Sequence, residues 1–246
     1  MRTTQHIQLR LVHLYPQQLN IYGDHGNVVS ILQRCRWREI AIEYHPVGLG
    51  DKLELRSGDI VFIGGGQDRG QQQVAADLRR HGAQLRKAVV GGMPALAICG
   101  GYQLWGHFFQ PQEGKRLEGI SVFDAETVAA EGRLVGNVVL ESKHFGRLVG
   151  FENHSGRTTL ADGQSELGVI DPGPGFGNNG VDSGEGAIAH NAIGTYLHGS
   201  FLPKNPVVAD WLIRAALAQI NAPQTLKPLD DSLEQQAATI AAQLES

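Results

Sequence analysis

Pro94-Ala95-Leu96-Ala97-Ile98-Cys99-Gly100-Gly101-Tyr102-Gln103 decides how the rest of the chain is read. A short apolar run, Pro94 to Ile98, ends on a cysteine, and two glycines lead at once into residues of helical character, Gly101 to Phe109. A strand that stops at Cys99 with a helix starting beside it needs a tight turn, which lifts the side chain at the turn above the sheet edge. Small neighbours (Ala97, Gly100, Gly101) let adjacent backbone pass close by. The N–H groups at a helix start carry positive potential, which favours a thiolate over a thiol. A free cysteine is more commonly a small buried hydrophobe; the flanking glycines are what favour a reactive one here. Cys35 has no such setting and reads as core.

Working back from this elbow, short apolar runs alternate with helical stretches, the pattern of an α/β fold with a mostly parallel central sheet flanked by helices. Strands are expected at Ile7 to Tyr15, Ile40 to Val47 and Asp59 to Ile63, and helices at Gly26 to Glu39 and about Gln71 to Ala88. Beyond the elbow, Val135 to Leu140, Arg147 to Phe151 and Gly168 to Ile170 read as strands. Ala187 to His190 and Ala192 to Leu197 read as a hairpin, and Pro206 to Ile220 as a packed helix. The glycine-rich stretch Pro172 to Gly186 is expected to be a loop reaching a surface or partner. The expected division is one catalytic domain over 1–221 and a helical tail over 222–246.

The 246 residues, 41% hydrophobic and 19% charged, are those of an ordinary globular protein. A net charge of −4 gives no electrostatic footprint for nucleic acid or an anionic membrane. No apolar run approaches the roughly 20 residues that span a bilayer. The N-terminus lacks the apolar core of a signal peptide, and two cysteines do not make a disulfide scaffold, so a cytoplasmic setting is expected.

A cysteine nucleophile needs an imidazole within hydrogen-bond reach. Of ten histidines, His198 stands out because it ends an apolar strand and precedes a glycine, in Thr195-Tyr196-Leu197-His198-Gly199-Ser200. His13, His45 and His81 read as packing or surface residues. His144 and His154 have no companion ligand spacing, so no metal site is assigned. Gly64-Gly65-Gly66 ends another strand, where a plain turn is the ordinary reading and a source of unobstructed N–H donors the functional one. No G-x-x-x-x-G-K-[ST] segment occurs, so the chain carries no visible nucleotide site.

In order and spacing, GGG after one strand, ICGGYQ at the elbow and YLHGSF near the C-terminus resemble the class I (triad-type) glutamine amidotransferases. The lack of Pro-Glu after YLHG is similar to the cobyric acid synthase-like branch, with Ser200 where other members carry the triad glutamate. Leu19-Asn20-Ile21-Tyr22-Gly23-Asp24-His25-Gly26-Asn27 and Gly150-Phe151-Glu152-Asn153-His154-Ser155-Gly156-Arg157-Thr158 narrow this further. They resemble the glutaminase subunits that work with MurT-like synthetases of the Mur ligase family. The resemblance implies hydrolysis of L-glutamine by Cys99 and His198, with Gly65 and Gly100 holding the oxyanion and Gln103 and Arg133 binding substrate. It also implies a heterodimer with the synthetase, ATP used on that partner and no cofactor in this chain, the ammonia amidating D-glutamate of lipid II. Ser200 leaves His198 without an orienting partner, so a dyad is expected. A glutaminase chain serving a corrinoid synthetase, a non-catalytic binding module and a cysteine peptidase of the same fold are the competing readings.

Overall fold

The computed structural model describes residues 8–170, 175–198 and 200–244. Ile7, Asp171 to Pro174, Gly199, Glu245 and Ser246, which several of the expected elements include, lie outside the described residues. In chain order the elements are β1 (Gln8–Leu14), α1 (His25–Trp37), β2 (Ala41–Val47), β3 (Asp59–Ile63), α2 (Asp68–Val90), β4 (Ala95–Ile98), α3 (Gly100–Trp105), β5 (Phe108–Gln110) and β6 (Leu117–Glu118). They continue with β7 (Ala125–Ser142), β8 (Gly146–Leu160), β9 (Gly168–Ile170), β10 (Gly184–Glu185), β11 (Ala187–Ala189) and β12 (Ala192–Thr195). Three helices end the chain: α4 (Phe201–Lys204), α5 (Pro206–Gln219) and α6 (Ser232–Gln243).

The central sheet runs β11-β12-β4-β3-β1-β2, and only the β11–β12 pairing is antiparallel. This is the mostly parallel α/β sheet expected from the sequence. Its inner strands β3, β4 and β12 are buried at every residue, which is why they read as near-continuous apolar or small runs. β2 is an edge strand, largely exposed, and can carry Pro46 because one side of it needs no ladder donor. Helix α2 buries Val74, Leu78, Leu85 and Val89 at helical spacing.

Three expectations change. Gly101 to Phe109 is not one helix: α3 stops at Trp105, Gly106 turns in extended conformation, and Phe108 enters strand β5. The short strands expected at Val135 to Leu140 and Arg147 to Phe151 are parts of a long hairpin, β7–β8, in a second sheet of order β10-β9-β7-β5-β6 with β8 on β7. Polar residues alternating along both strands hid that continuity, because each strand has one buried and one open face. The third changes only in part: among its described residues the glycine-rich stretch does reach the surface, at Val181, but it is also anchored inside. Asn178 and Glu185 are buried, and the N–H groups of Phe176 and Gly177 donate to Glu152 at 2.6 and 3.0 Å.

The tail folds back on the body. Buried Arg34 on α1 donates to Asp210 of α5 (2.7 Å) and to Asp231 just before α6 (2.6 Å), and Asn137 of β7 donates to the Leu244 carbonyl. No helix among the described residues is long and apolar enough to cross a membrane.

Gly194, at the centre of β12, sits against the elbow helix. A Cβ there would lie 2.2 Å from Cδ2 of Tyr102 and 2.7 Å from Cε2 of Phe123, both rings fully buried. Gly194→Ala is therefore expected to cost about 1–3 kcal/mol through overpacking. In a chain of this length that lowers Tm by roughly 2–4 °C per kcal/mol. A thermal melt that matches the parent would show that the rings can move aside freely.

Candidate active site

Cys99 stands between β4 and α3 with φ 46° and ψ −104°, a conformation that costs a residue bearing a Cβ roughly 1–3 kcal/mol. The strain is held from both sides, since the Cys99 N–H donates to the Thr195 carbonyl and its own carbonyl accepts from the Gln103 N–H. The side chain lines a cavity of about 480 Å³, together with Gly66, Gln71, Gln103, Arg133 and Asn153. Cys35, by contrast, is buried in the core, where burial pushes its thiol up to about 12.

His198 follows β12 and is stitched to the second sheet by its N–H, which donates to the Phe151 carbonyl at 2.6 Å. Gly65 brings the two reactive side chains into one place. A Cβ there would be 2.4 Å from Cε1 of His198 and 3.2 Å from Cβ of Cys99, so only glycine fits between them. Tyr22, half exposed, caps the imidazole edge-on with ring centroids 5.1 Å apart.

A third group meets the expected Cys99–His198 pair. Fully buried Asp24 accepts from His198 Nδ1 through Oδ1 at 3.1 Å and from the Gly65 N–H through Oδ2 at 2.6 Å. Ser200 is turned away: its hydroxyl donates to the Gly23 carbonyl at 2.9 Å and so braces the segment that presents Asp24. Asp24 occupies the N-cap position of α1 without capping it, its carboxylate being spent on the site instead. An aspartate before a helix reads as a cap, which is why sequence reading passed over it. The available signal was its place in the Asn20 to Asn27 segment already singled out.

Burial alone would pull the imidazole down. The negative charges of Cys99 and Asp24, with the hydrogen bonds they offer, outweigh it and raise His198 to about 10. At neutral pH His198 therefore rests as an imidazolium.

The Gly65 N–H, expected to hold an oxyanion, is committed to Asp24 in this arrangement; Gly66, next in the loop, lines the cavity beside Cys99. Gly100 begins α3, where helix N–H groups have no partner within the helix. The amide of Gln103 is largely used inside the protein, accepting from Gln71 at 2.6 Å and donating to the Tyr196 hydroxyl at 3.1 Å. One amide hydrogen and one lone pair are left for a ligand. Gln71 also donates to the Gly100 carbonyl, tying α2 to the elbow, a role no sequence signal announced. Arg133, on the β7–β8 hairpin, reaches the same cavity as Cys99.

Beneath the site, the His154 ring stacks flat on Tyr196 at 3.5 Å, and its Nδ1 donates to the Gly156 carbonyl. Burial lowers His154 to about 4 and raises the carboxyls of Glu152 and Glu185 to about 7 each. These groups brace the second sheet against the catalytic strand: Glu185 accepts from Thr195 Oγ1 and the Tyr196 N–H. His144 is remote from them, beside Phe145.

A strained cysteine at a strand-to-helix elbow, an imidazole held by a carboxylate, and a glycine loop between them define an acyl-transfer hydrolase of the α/β class. Residues 10–206 match the CobB/CobQ-like glutamine amidotransferase domain, and the chain belongs to that family. The chain is 39% identical to the lipid II isoglutaminyl synthase (glutamine-hydrolyzing) subunit GatD of Staphylococcus aureus, over 94% of this chain and 93% of that one. It is 36% identical to the subunit of the same name from Streptococcus pneumoniae, over 85% and 81%. Among solved structures, the glutaminase domain of Trypanosoma brucei CTPS shares the fold, with a TM-score of 0.52 at 15% identity over 89% of this chain and 98% of that one.

Asp24 holds His198 in its charged form, so removing the charge should lower the imidazole's pKa. Asp24→Asn is expected to move the alkaline limb of kcat/KM from near pH 10 toward neutrality and to reduce kcat by about 10²–10⁴-fold. Ser200→Ala should leave both nearly unchanged. pH–rate profiles of the three proteins check this; an unshifted alkaline limb in Asp24→Asn would return the site to a dyad.

Proposed function

We propose that this chain is the glutamine-hydrolysing subunit of a two-subunit lipid II isoglutaminyl synthase. Its partner is a MurT-like synthetase of the Mur ligase family, which uses ATP and amidates the α-carboxyl of D-glutamate in lipid II. The observation that carries the hydrolytic half is the buried Asp24–His198 pair beside Cys99, which itself lines the cavity. Near-full-length similarity to two GatD subunits supports the choice of acceptor.

In this reading Cys99 Sγ attacks the carboxamide carbon of glutamine. Negative charge collects on the carboxamide oxygen, where the N–H groups of Gly100 and Gly66 meet it, Gly66 taking the place first expected of Gly65. His198 Nε2 gives its proton to the departing nitrogen, the C–N bond breaks, and ammonia leaves a thioester on Cys99. Neutral His198 then takes a proton from water, which attacks the thioester and releases glutamate, returning Cys99 and His198 to their starting states. Asp24 keeps Nδ1 protonated and Nε2 aimed through both halves. The guanidinium of Arg133 supplies a fork for the α-carboxylate of the substrate, which Lys could not reproduce.

Ammonia set free in water would be wasted, so a subunit of this kind has its effect only beside an acceptor site. Cys99→Ala should abolish glutamine-dependent amidation by the complex while leaving amidation from added ammonium salts intact. Both rates are read by following amidated lipid II with each nitrogen source. Glutamine-dependent product persisting in Cys99→Ala would remove Cys99 from the chemistry, and a parallel loss with ammonium would mean that the substitution acts on the partner.

A further inference from the structure

The β7–β8 hairpin is irregular where it meets the cavity. Pairing runs regularly to Ala129↔Gly156 and resumes at Leu134↔His154, so four residues, Ala130 to Arg133, stand opposite Ser155 alone. Gly132 in this bulge has φ 75°, and Arg133 follows it with its side chain exposed. A long side chain leaving an unladdered bulge is free to swing, and ordering it on a ligand costs rotamer entropy.

Asn153 removes that freedom. It lies on β8 in register with Val135, its Oδ1 accepts from Arg133 Nε at 2.6 Å, and its main-chain carbonyl accepts from Nη2 at 2.7 Å. Nε and Nη2 form one edge of the guanidinium. With that edge occupied, Nη1 and the second Nη2 hydrogen form the other, end-on edge, which matches the two oxygens of a carboxylate. Arg133, Asn153 and Cys99 all line the same cavity.

We infer that Asn153 is a positioning residue for substrate recognition: it pre-orders the Arg133 fork that binds the α-carboxylate of free glutamine, and so sets affinity without touching the reacting amide. The inference rests on the reading of Arg133 given above. It places the specificity for a free amino acid, rather than a glutamine within a peptide, in a two-residue unit reaching from β8 to the bulge.

The test is steady-state glutaminase kinetics of the full chain with L-glutamine, for Asn153→Ala, the shape-conserving Asn153→Leu, Arg133→Met, and each Asn153 variant combined with Arg133→Met. Either Asn153 variant should raise KM about tenfold, the order of one lost hydrogen bond to a charged group, with kcat and the rate of Cys99 alkylation by iodoacetamide held within about twofold. In the Arg133→Met background the same changes should add less than about twofold, because nothing remains to be positioned. An unchanged KM in both Asn153 variants, or penalties that simply multiply with that of Arg133→Met, would overturn the assignment. If Arg133→Met raises KM while the Asn153 variants do not, only this inference fails; if Arg133→Met itself leaves KM unchanged, the reading of Arg133 fails and takes the inference with it.

Discussion

One carboxylate ties the site together. Asp24 bridges the imidazole of His198 and the N–H of Gly65, and those two groups come from opposite halves of the chain. The bridge fixes the ring's orientation, keeps Nδ1 protonated and adds the negative charge that, with Cys99, holds the ring as imidazolium. Because both partners are fully buried, their attraction is poorly screened, and it works against the cost of taking both groups out of water. Breaking it by removing one partner would leave a buried charge uncompensated, so base and acid are structurally as well as chemically dependent on each other.

The remainder of the fold can be read as what delivers that bridge. The parallel sheet carries Cys99 and His198 at the same end of neighbouring strands, β4 and β12, with β3 on the other side of β4 delivering the glycine loop. Asp24 arrives from the segment between β1 and α1, braced by the Ser200 hydroxyl on Gly23 and by Asn27, whose side chain accepts from the Leu202 N–H. Ser200 thus serves the orienting residue from outside and not the histidine directly. The second sheet adds what the central one lacks: Phe151 secures His198, Thr158 holds the Tyr196 hydroxyl that accepts from Gln103, and the hairpin bulge brings Arg133 to the cavity.

Sequence alone made the central sheet legible because parallel strands buried on both faces leave unbroken apolar runs, as at Asp59–Ile63 and Ala95–Ile98. Cys99 was legible for a local reason, glycines on one side of an apolar strand, and His198 by position after another such strand. What stayed hidden was either distant in sequence or polar in pattern. Asp24 is 174 residues from His198, and its local context offers the simpler reading of a helix cap. The long hairpin was cut short because its exposed residues interrupt any apolar run, and the Gln71–Gln103 contact joins two ordinary-looking glutamines. Gly65 lies between the Cys99 and His198 side chains, yet its N–H serves the carboxylate, a distinction that depends on where a third residue lies.

His198 rests charged, held against Asp24. The most direct measurement is the ¹⁵N NMR titration of His198 in protein labelled at histidine, with Cys99 intact and replaced by alanine. Both ring nitrogens should be protonated through neutral pH, with loss of a proton only near pH 10, and that midpoint should move clearly downward in Cys99→Ala. A neutral ring at pH 7 in the intact protein, titrating near the ordinary histidine value and indifferent to Cys99, would contradict it.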